Sequence, residues 1–492
     1  MILAEIIKGI DTLSISGDSG INITGLAYDS RKVKKGYLFF ALPGEHNDGH
    51  AFIRQAVEQG AVAVVHERPE QHLIDTRVAE VARIRVKDSR EALALAANNF
   101  FKRPSESLKV IGITGTNGKT TTSYLIKAIL EEWGQKVGLI GTIQYVVKDV
   151  VYDAVHTTPE ALEFQALLHE MLTKNCGYVV TEVSSHALAQ KRVDGTVFKG
   201  AVFTNLTRDH LDFHKTLEDY FSSKTRLFTE LLDSDATAVI NYDDPWGRKL
   251  IGLIKGKVHT FGLETGSDLM ATGISDSVSG LKFSVILNNK KYEVVSSLMG
   301  LPNVYNILSA AGLSLSMGVP WEVVLEGIRK AGPAKGRFEK VDAGQEFLAI
   351  VDFAHTEDAL ERLIYTARGI SRGKIIIVFG CGGDRDRGKR PVMGAIATKL
   401  GDLVIITSDN PRSEKPGEII KEIEAGVVRN NYLVEPDRKE AIRKAVEMAG
   451  KDDIVLIAGK GHETYQAIGE TRYKFSDREV LEEAIKKLRS NQ

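Results

Sequence analysis

The sequence predicts three α/β domains in series, the middle one a doubly wound nucleotide-binding fold. Three observations carry this. The 492 residues are too many for one core, at about 100–200 residues per domain. From Val110 onward, apolar strand-length runs alternate with helical stretches, the pattern of a mainly parallel sheet covered by helices. The pattern is broken at Phe101-Lys102-Arg103-Pro104-Ser105-Glu106 and again at Ala331-Gly332-Pro333-Ala334-Lys335-Gly336, both marked by proline and charge. The expected divisions are therefore 1–108, 109–333 and 334–492.

The first division is a short mixed region with a turn-rich stretch at Pro43 to Asp48 and a buried-strand run at Ala61 to Val65. In the second, strands are expected at Val110 to Thr114, Val137 to Ile140, Tyr178 to Val183, Ala201 to Thr204 and Ala238 to Ile240. In the third, a Rossmann-like alternation restarts with strands at Phe347 to Val351, Lys374 to Phe379, Asp402 to Thr407 and Asp453 to Ala458. Polar clusters follow these strands repeatedly, as at Glu182-Val183-Ser184-Ser185-His186, Asn205 to His210, Asp352 to His355, Gly380 to Arg385, Asp409 to Arg412 and Gly459 to Glu463. Open α/β sheets bind ligands beyond the carboxyl ends of their strands, so these clusters are the candidate site.

Composition narrows the partners. The 64 basic and 65 acidic residues leave a formal charge of −1, which gives no whole-chain field for nucleic acid or an anionic membrane. Any anion must be held locally. Cys176 and Cys381 are far apart and form no C-x-x-C pair, so neither a disulfide framework nor a cysteine zinc site is indicated. Met1-Ile2-Leu3-Ala4-Glu5 meets charge too soon for a signal peptide, and the apolar runs are far short of a membrane span. A cytoplasmic protein without membrane insertion is expected.

The most specific signal is the strand Lys109 to Thr114 running into Gly115-Thr116-Asn117-Gly118-Lys119-Thr120-Thr121. The common phosphate loop G-x-x-x-x-G-K-[ST] wants glycine at 113, where this chain has Ile113, and instead glycine recurs at Gly112, Gly115 and Gly118. Glycines let backbone N–H groups approach phosphates, Lys119 offers charge to the outer phosphates, and Thr120 is placed for Mg²⁺. The bland alternative is a glycine-rich turn with no ligand, but the lysine, the paired threonines and the preceding strand together speak for ATP.

Gly112 to Thr121, His156-Thr157-Thr158-Pro159, Glu182 to His186, Thr207 to His214, Gly300 to Asn306, Gly336-Arg337-Phe338-Glu339, Asp352 to His355 and Asp409 to Arg412 stand in order over nearly the whole chain. Together they resemble the Mur ligases of peptidoglycan synthesis, and among these the members that add the third residue. The resemblance implies an amide ligase driven by ATP, in which an acyl phosphate forms on the D-glutamyl carboxylate of UDP-N-acetylmuramoyl-L-Ala-D-Glu and an amine displaces it. It implies Thr114, Gly115, Thr116, Asn117, Gly118, Lys119, Thr120, Asn303, Arg337, Asp352 and His355 as nucleotide contacts. Thr120, Glu182 and His210 are implied as Mg²⁺ ligands, joined by Lys224 as a CO₂-derived carbamate. Lys119, Lys224, His210 and Arg337 are the implied catalytic set.

For the UDP-sugar peptide the family pattern points to Ser30, Thr157, Thr158, Ser184, Gln190 and Arg192, and to the turn around Gly44 to Gly49. By pattern alone Asp29-Ser30-Arg31 is a plain turn. Asp409-Asn410-Pro411-Arg412 resembles the form in members that add meso-diaminopimelate, with Arg385, Gly459 and Glu463 on matching positions. Diaminopimelate differs from lysine by a second carboxylate, which a guanidinium fork can grip with two charge-assisted bonds. The chain departs from the pattern at Phe353 and Glu357, where the family often has tyrosine and proline. A lysine-adding member, a folylpolyglutamate-type ligase and a silent nucleotide-binding regulator remain alternatives, and a monomer is expected.

Overall fold

The computed structural model describes residues 1–44, 48–69 and 80–490. The expected turn at Gly44 to Gly49 therefore falls partly outside the described residues, at 45–47. Three main sheets follow one another along the chain.

The first sheet runs in the order Thr12–Ser16, Ala82–Val86, Ala61–His66, Tyr37–Phe40, Gly25–Ala27, with only the first pair antiparallel. Helix Ser89–Phe100 covers one face. Asp88 caps it by accepting from the Arg90 and Glu91 N–H groups, and alanines crowd its buried side.

The second sheet has 11 strands. At its centre Lys109–Thr114 lies between Tyr178–Glu182 and Phe198–Phe203, all parallel. Residues 110–114 are fully buried, since helices cover both faces of a parallel sheet and the side chains alternate between them. Ile111 and Ile113 pack with Ile126, Ile129 and Ile307, on helices Lys119–Glu132 and Leu301–Ser316, while Val110 joins Phe164, Phe198 and Leu227 on the opposite side. The sheet is less purely parallel than expected. Both edges are antiparallel: Gln144–Val147 with Val150–Asp153 at one, and Leu269–Ser277, Gly280–Leu287 and Lys290–Ser296 at the other.

The third sheet is ordered Glu339–Val341, Leu348–Asp352, Ile454–Ala458, Ile375–Phe379, Leu403–Ile406, Tyr432–Val434, parallel except for its first pair. A hairpin, Tyr465–Ile468 with Thr471–Lys474, stands beyond its carboxyl ends. The carboxyl ends of the second and third sheets bring their polar clusters together.

Candidate active site

The phosphate loop leaves its strand at Thr114 and enters helix Lys119–Glu132 through Gly118, which has a left-handed φ of 89°. A Cβ on Gly115 would lie 1.9 Å from the Thr204 hydroxyl, and one on Gly118 would lie 2.3 Å from Asn306 Oδ1, so both positions exclude side chains. Gly112 serves another purpose. Its Cβ would meet the Phe198 ring at 2.9 Å and Leu227 at 3.0 Å, so this glycine is a packing residue inside the strand rather than part of the phosphate cradle.

Lys119 Nζ donates to the carbonyls of Gly115 and Thr116, both at 2.9 Å, and Lys224 Nζ donates to the same Gly115 carbonyl at 2.9 Å. Among the described residues neither lysine has a carboxylate within ion-pair distance. Burial pushes both amines below the ordinary lysine range, and Lys119 pushes Lys224 further still. Across the loop, Glu182 is fully buried and its carboxylate accepts only neutral donors: Thr120 Oγ1 at 3.0 Å, Thr142 N at 2.9 Å and Thr142 Oγ1 at 2.9 Å.

His210 follows the Phe198–Phe203 strand in a left-handed conformation, φ 53°. Burial lowers its imidazole to about 4, against the pull of Asp209, whose carboxylate lies 3.4 Å from Nε2. Glu182 ends, and His210 follows, the two strands that flank Lys109–Thr114 on either side. The central phosphate-loop strand separates them. Among the described residues no three His, Cys, Asp or Glu side chains gather into a metal cage.

The third sheet supplies the opposite wall. Arg337 Nη2 donates to Thr120 Oγ1 at 3.3 Å, and its guanidinium lies 4.7 Å above the Phe353 ring, which also packs against His355 and His462. Gly336, at φ 67°, fits where a Cβ would come within 2.2 Å of the His462 N, so the chain can turn there only as glycine. Asp352 accepts from the N–H groups of Phe338 and Ala354, at 2.6 and 2.8 Å, and thus holds the segment that carries Arg337. His355 Nδ1 lies 2.8 Å from the Phe353 carbonyl, and burial keeps its ring toward the neutral form.

Asp358 and Arg362 also reach across, from helix Glu357–Ile370. Asp358 Oδ2 accepts from Asn117 Nδ2 at 2.8 Å and from Thr207 Oγ1 at 3.3 Å, while Arg362 Nε holds Oδ1 at 2.9 Å. Arg362 then lines a cavity of about 410 Å³ beside the phosphate loop, with Asn117, Asn205, Trp246, Tyr305 and Asn306. Asn303 instead lines a neighbouring cavity with Arg337, and its Nδ2 donates to the Met299 carbonyl at 2.6 Å.

Five of the six expected peptide contacts come together. Thr158 Oγ1 donates to the Glu182 carbonyl at 2.8 Å and accepts from Ser184 N at 3.1 Å; Arg192 donates to the Thr158 carbonyl at 3.1 Å and to Gln190 Oε1 at 2.6 Å. Thr157 joins through Thr142, at 3.1 Å between hydroxyls. Ser30 is apart from them. It is buried and donates to Gln55 Oε1 at 2.8 Å, while Arg31 turns back onto Asp29, so the local picture is the capped turn that pattern alone suggested.

The third-sheet clusters form one more recess. Asn410 is buried: its Oδ1 accepts from Lys460 Nζ at 3.0 Å and Ala467 N at 2.8 Å, and its Nδ2 donates to Glu463 Oε2 at 2.8 Å. Gly459, at φ 119°, makes room for Asp409, whose Oδ2 a Cβ would approach to 2.5 Å. Arg412 Nη1 donates to the Gly383 carbonyl at 2.6 Å and Arg385 Nη1 to the Asp384 carbonyl at 2.9 Å. Among the described residues neither arginine forms an ion pair, although Asp409 and Glu463 lie near enough to favour the Arg412 charge; Arg385, after burial, is the largest influence lowering the Arg412 guanidinium.

Three family models match in sequence order: Mur ligase family, catalytic domain, over residues 22–101; Mur ligase middle domain, over 113–314; and Mur ligase, glutamate ligase domain, over 336–461. A UDP-N-acetylmuramoyl-L-alanyl-D-glutamate--2,6-diaminopimelate ligase from Caldanaerobacter subterraneus subsp. tengcongensis is 45% identical over 99% of both chains. The chain belongs to the Mur ligase family. A relative of the same name from Aquifex aeolicus is 45% identical over 94% of each chain. A solved structure of a ligase so named superposes with a TM-score of 0.71 at 32% identity, covering 99% of both chains. The MurF ligase from Thermotoga maritima in complex with ADP shares the fold, at a TM-score of 0.63 and 20% identity over 96% of this chain and 99% of that one.

Several residues of this Mur ligase that shape the site carried no readable signal. Asp358 and Arg362 look like ordinary helix charges in sequence. Lys460 was visible only as part of a strand-end cluster, yet it is fully buried and fixes both Asn410 and Glu463. Arg438 and Asp477 form a buried two-point pair at 2.7 Å, and Arg438 also binds the Ser408 and Ala458 carbonyls just before Asp409 and Gly459.

Proposed function

We propose that this Mur ligase joins meso-diaminopimelate to UDP-N-acetylmuramoyl-L-Ala-D-Glu, consuming ATP and releasing ADP and phosphate. The observation that carries the reading is the pair of guanidinium groups, Arg385 and Arg412, which donate to backbone carbonyls and, among the described residues, form no ion pair, beside the Asn410–Lys460–Glu463 cluster. A carboxylate on the far end of the amino acid answers the two cations, and Glu463, held through Oε2 by Asn410 and Lys460, takes the neighbouring ammonium. Lysine would leave the half-buried Arg412 and the exposed Arg385 without that carboxylate, at a cost of up to about 3 kcal/mol.

The chemistry asks the protein mainly for placement and charge. The γ-phosphoryl group moves from ATP to the D-glutamyl carboxylate, and the amine then attacks that carbonyl and expels phosphate. Lys119, bonded only to loop carbonyls, turns to the outer phosphates, and Arg337 adds charge from the other wall. Thr157, Thr158, Ser184, Gln190 and Arg192 hold the peptide end of the acceptor, with Ser30 toward the UDP-sugar. Asn303, Asp352 and His355 support the nucleotide.

The residues fit Mg²⁺. Glu182 is a buried carboxylate that, among the described residues, forms no ion pair, and it already shares the Thr120 hydroxyl, so these two with His210 would hold the cation. A cation so held would neutralise phosphate charge. Lys224 fits a carbamate, because a buried amine kept neutral is the form that combines with CO₂, and the anion produced would lie beside Lys119. The two free buried cysteines agree with a cytoplasmic setting.

The test is phosphate release with UDP-N-acetylmuramoyl-L-Ala-D-Glu, comparing meso-diaminopimelate and L-lysine. A preference for diaminopimelate of about 100-fold or more in kcat/KM is expected. Equal efficiencies would defeat the reading.

A further inference from the structure

Arg385 and Arg412 stand on backbone that resists their placement. Arg412 itself has φ 50°, and Asp384, immediately before Arg385, has φ 53°, the left-handed region that L side chains seldom occupy. Gly382 lies between the two side chains: a Cβ there would be 2.9 Å from Arg412 Nη1 and 3.8 Å from Arg385 Cγ. Something must hold the two turns in register.

That support is an ion cluster built around one buried arginine. Arg390 is wholly buried, and its guanidinium grips Glu414 with two bonds, at 2.8 and 2.9 Å, and Glu422 with a third at 2.8 Å. Arg390 Nη2 also donates to the Gly382 carbonyl at 3.3 Å. The same Glu414 Oε1 that faces Arg390 accepts the Asp384 N–H at 2.6 Å. Asp384 in turn accepts from Ser413, N–H at 3.2 Å and hydroxyl at 2.5 Å. Residues 382–385 and 411–414 are thereby clasped to each other on either side of both arginines.

Arg390 is a poor choice for any purpose local to its own helix. It is the second residue of Lys389–Leu400, where a positive charge opposes the helix dipole. Its charge is answered only by carboxylates from outside the helix.

We propose that Arg390, Glu414 and Asp384 are positioning residues that set the selectivity of this ligase for its incoming amino acid. They act through Arg385 and Arg412, keeping two mutually repelling cations close enough to share one carboxylate. The proposal rests on the diaminopimelate reading and deepens it.

Phosphate release is measured for wild type, Glu414→Gln, Asp384→Gly and Arg387→Ala, with meso-diaminopimelate and with L-lysine, alongside ATP titrations and thermal melts. Asp384→Gly removes the clasp while relieving the left-handed strain, so it separates positioning from stability. Arg387 pairs with Glu422, the outer carboxylate, and serves as the outer-charge control. For Glu414→Gln and Asp384→Gly, KM for diaminopimelate should rise about 10–100-fold, with KM for ATP held within about twofold and the preference over lysine shrinking in step. Arg387→Ala should match wild type, and the melting temperature of Asp384→Gly should not fall. Unchanged KM and preference in Asp384→Gly, or ATP and both amines affected in equal proportion, would overturn the positioning role while leaving the diaminopimelate reading intact. A wild type that does not prefer diaminopimelate overturns the reading itself, and this inference with it.

Discussion

At the scale of single residues, the site depends on groups whose burial changes their chemistry. Lys224 is the clearest case. Burial, with Lys119 close by, drives its amine toward the neutral form, and falling pH would reprotonate it and withdraw the species that takes up CO₂. Lys224→Ala is expected to abolish turnover and to recover part of it on adding acetate or formate, assayed by phosphate release; full activity from a lysine shown by ¹³C-bicarbonate NMR to be unmodified would defeat the carbamate. Gly112 makes the opposite point, that a motif residue can be there for packing. Gly112→Ala should cost about 1–3 kcal/mol in chemical denaturation, by pressing on Phe198 and Leu227, and leave KM for ATP unchanged. A raised KM at unchanged stability would restore it to the phosphate cradle. Lys119, Thr120 and Arg412 were legible because their meaning lies in spacing along a few residues. Asp358 was not, because its partner Asn117 lies 241 residues away and no local pattern announces it.

Elements divide in the same way. Strands of the central and last sheets could be read because burial on both faces turns them into unbroken apolar runs, as in Ile375–Phe379 and Ile454–Ala458. The hairpin strands Gly280–Leu287 and Lys290–Ser296, the second of them the sheet edge, are half-exposed and alternate, which weakens the signal, although Asn288 and Asn289 both adopt positive φ, 50° and 61°, as a tight hairpin turn requires. Helix Glu357–Ile370 shows how a local cap serves a distant contact. Thr356 accepts from the Ala359 N–H at 3.3 Å, and the first turn so fixed is the one that carries Asp358 to the phosphate loop. Thr356→Ala should lower unfolding free energy by about 1 kcal/mol in a urea titration, and Thr356→Ser should retain most of it. Indistinguishable midpoints for wild type and Thr356→Ala would mean the cap contributes nothing.

Across the whole molecule, the third sheet is closed onto the second, and the contacts that close it touch the nucleotide loop directly. Arg337 reaches Thr120, and Asp358 holds both Asn117 and Thr207. Because these partners are phosphate-loop residues or their neighbours, closure and nucleotide placement are one equilibrium rather than two. An ion-assisted hydrogen bond contributes about 1.5–3 kcal/mol when its alternative is a desolvated, unpaired group, and every 1.4 kcal/mol is about tenfold in a population. Removing the carboxylate should therefore shift the molecule toward open forms that bind ATP without completing the site. Asp358→Ala is expected to lower kcat/KM for ATP about 10–100-fold and to enlarge the radius of gyration seen by small-angle scattering with a non-hydrolysable ATP analogue. Asp358→Asn, which keeps one acceptor oxygen for Asn117 or Thr207, should fall between the two. If Asp358→Ala scatters like wild type and turns over at the wild-type rate, closure is held by the remaining interface alone, and the carboxylate on helix Glu357–Ile370 has no part in it.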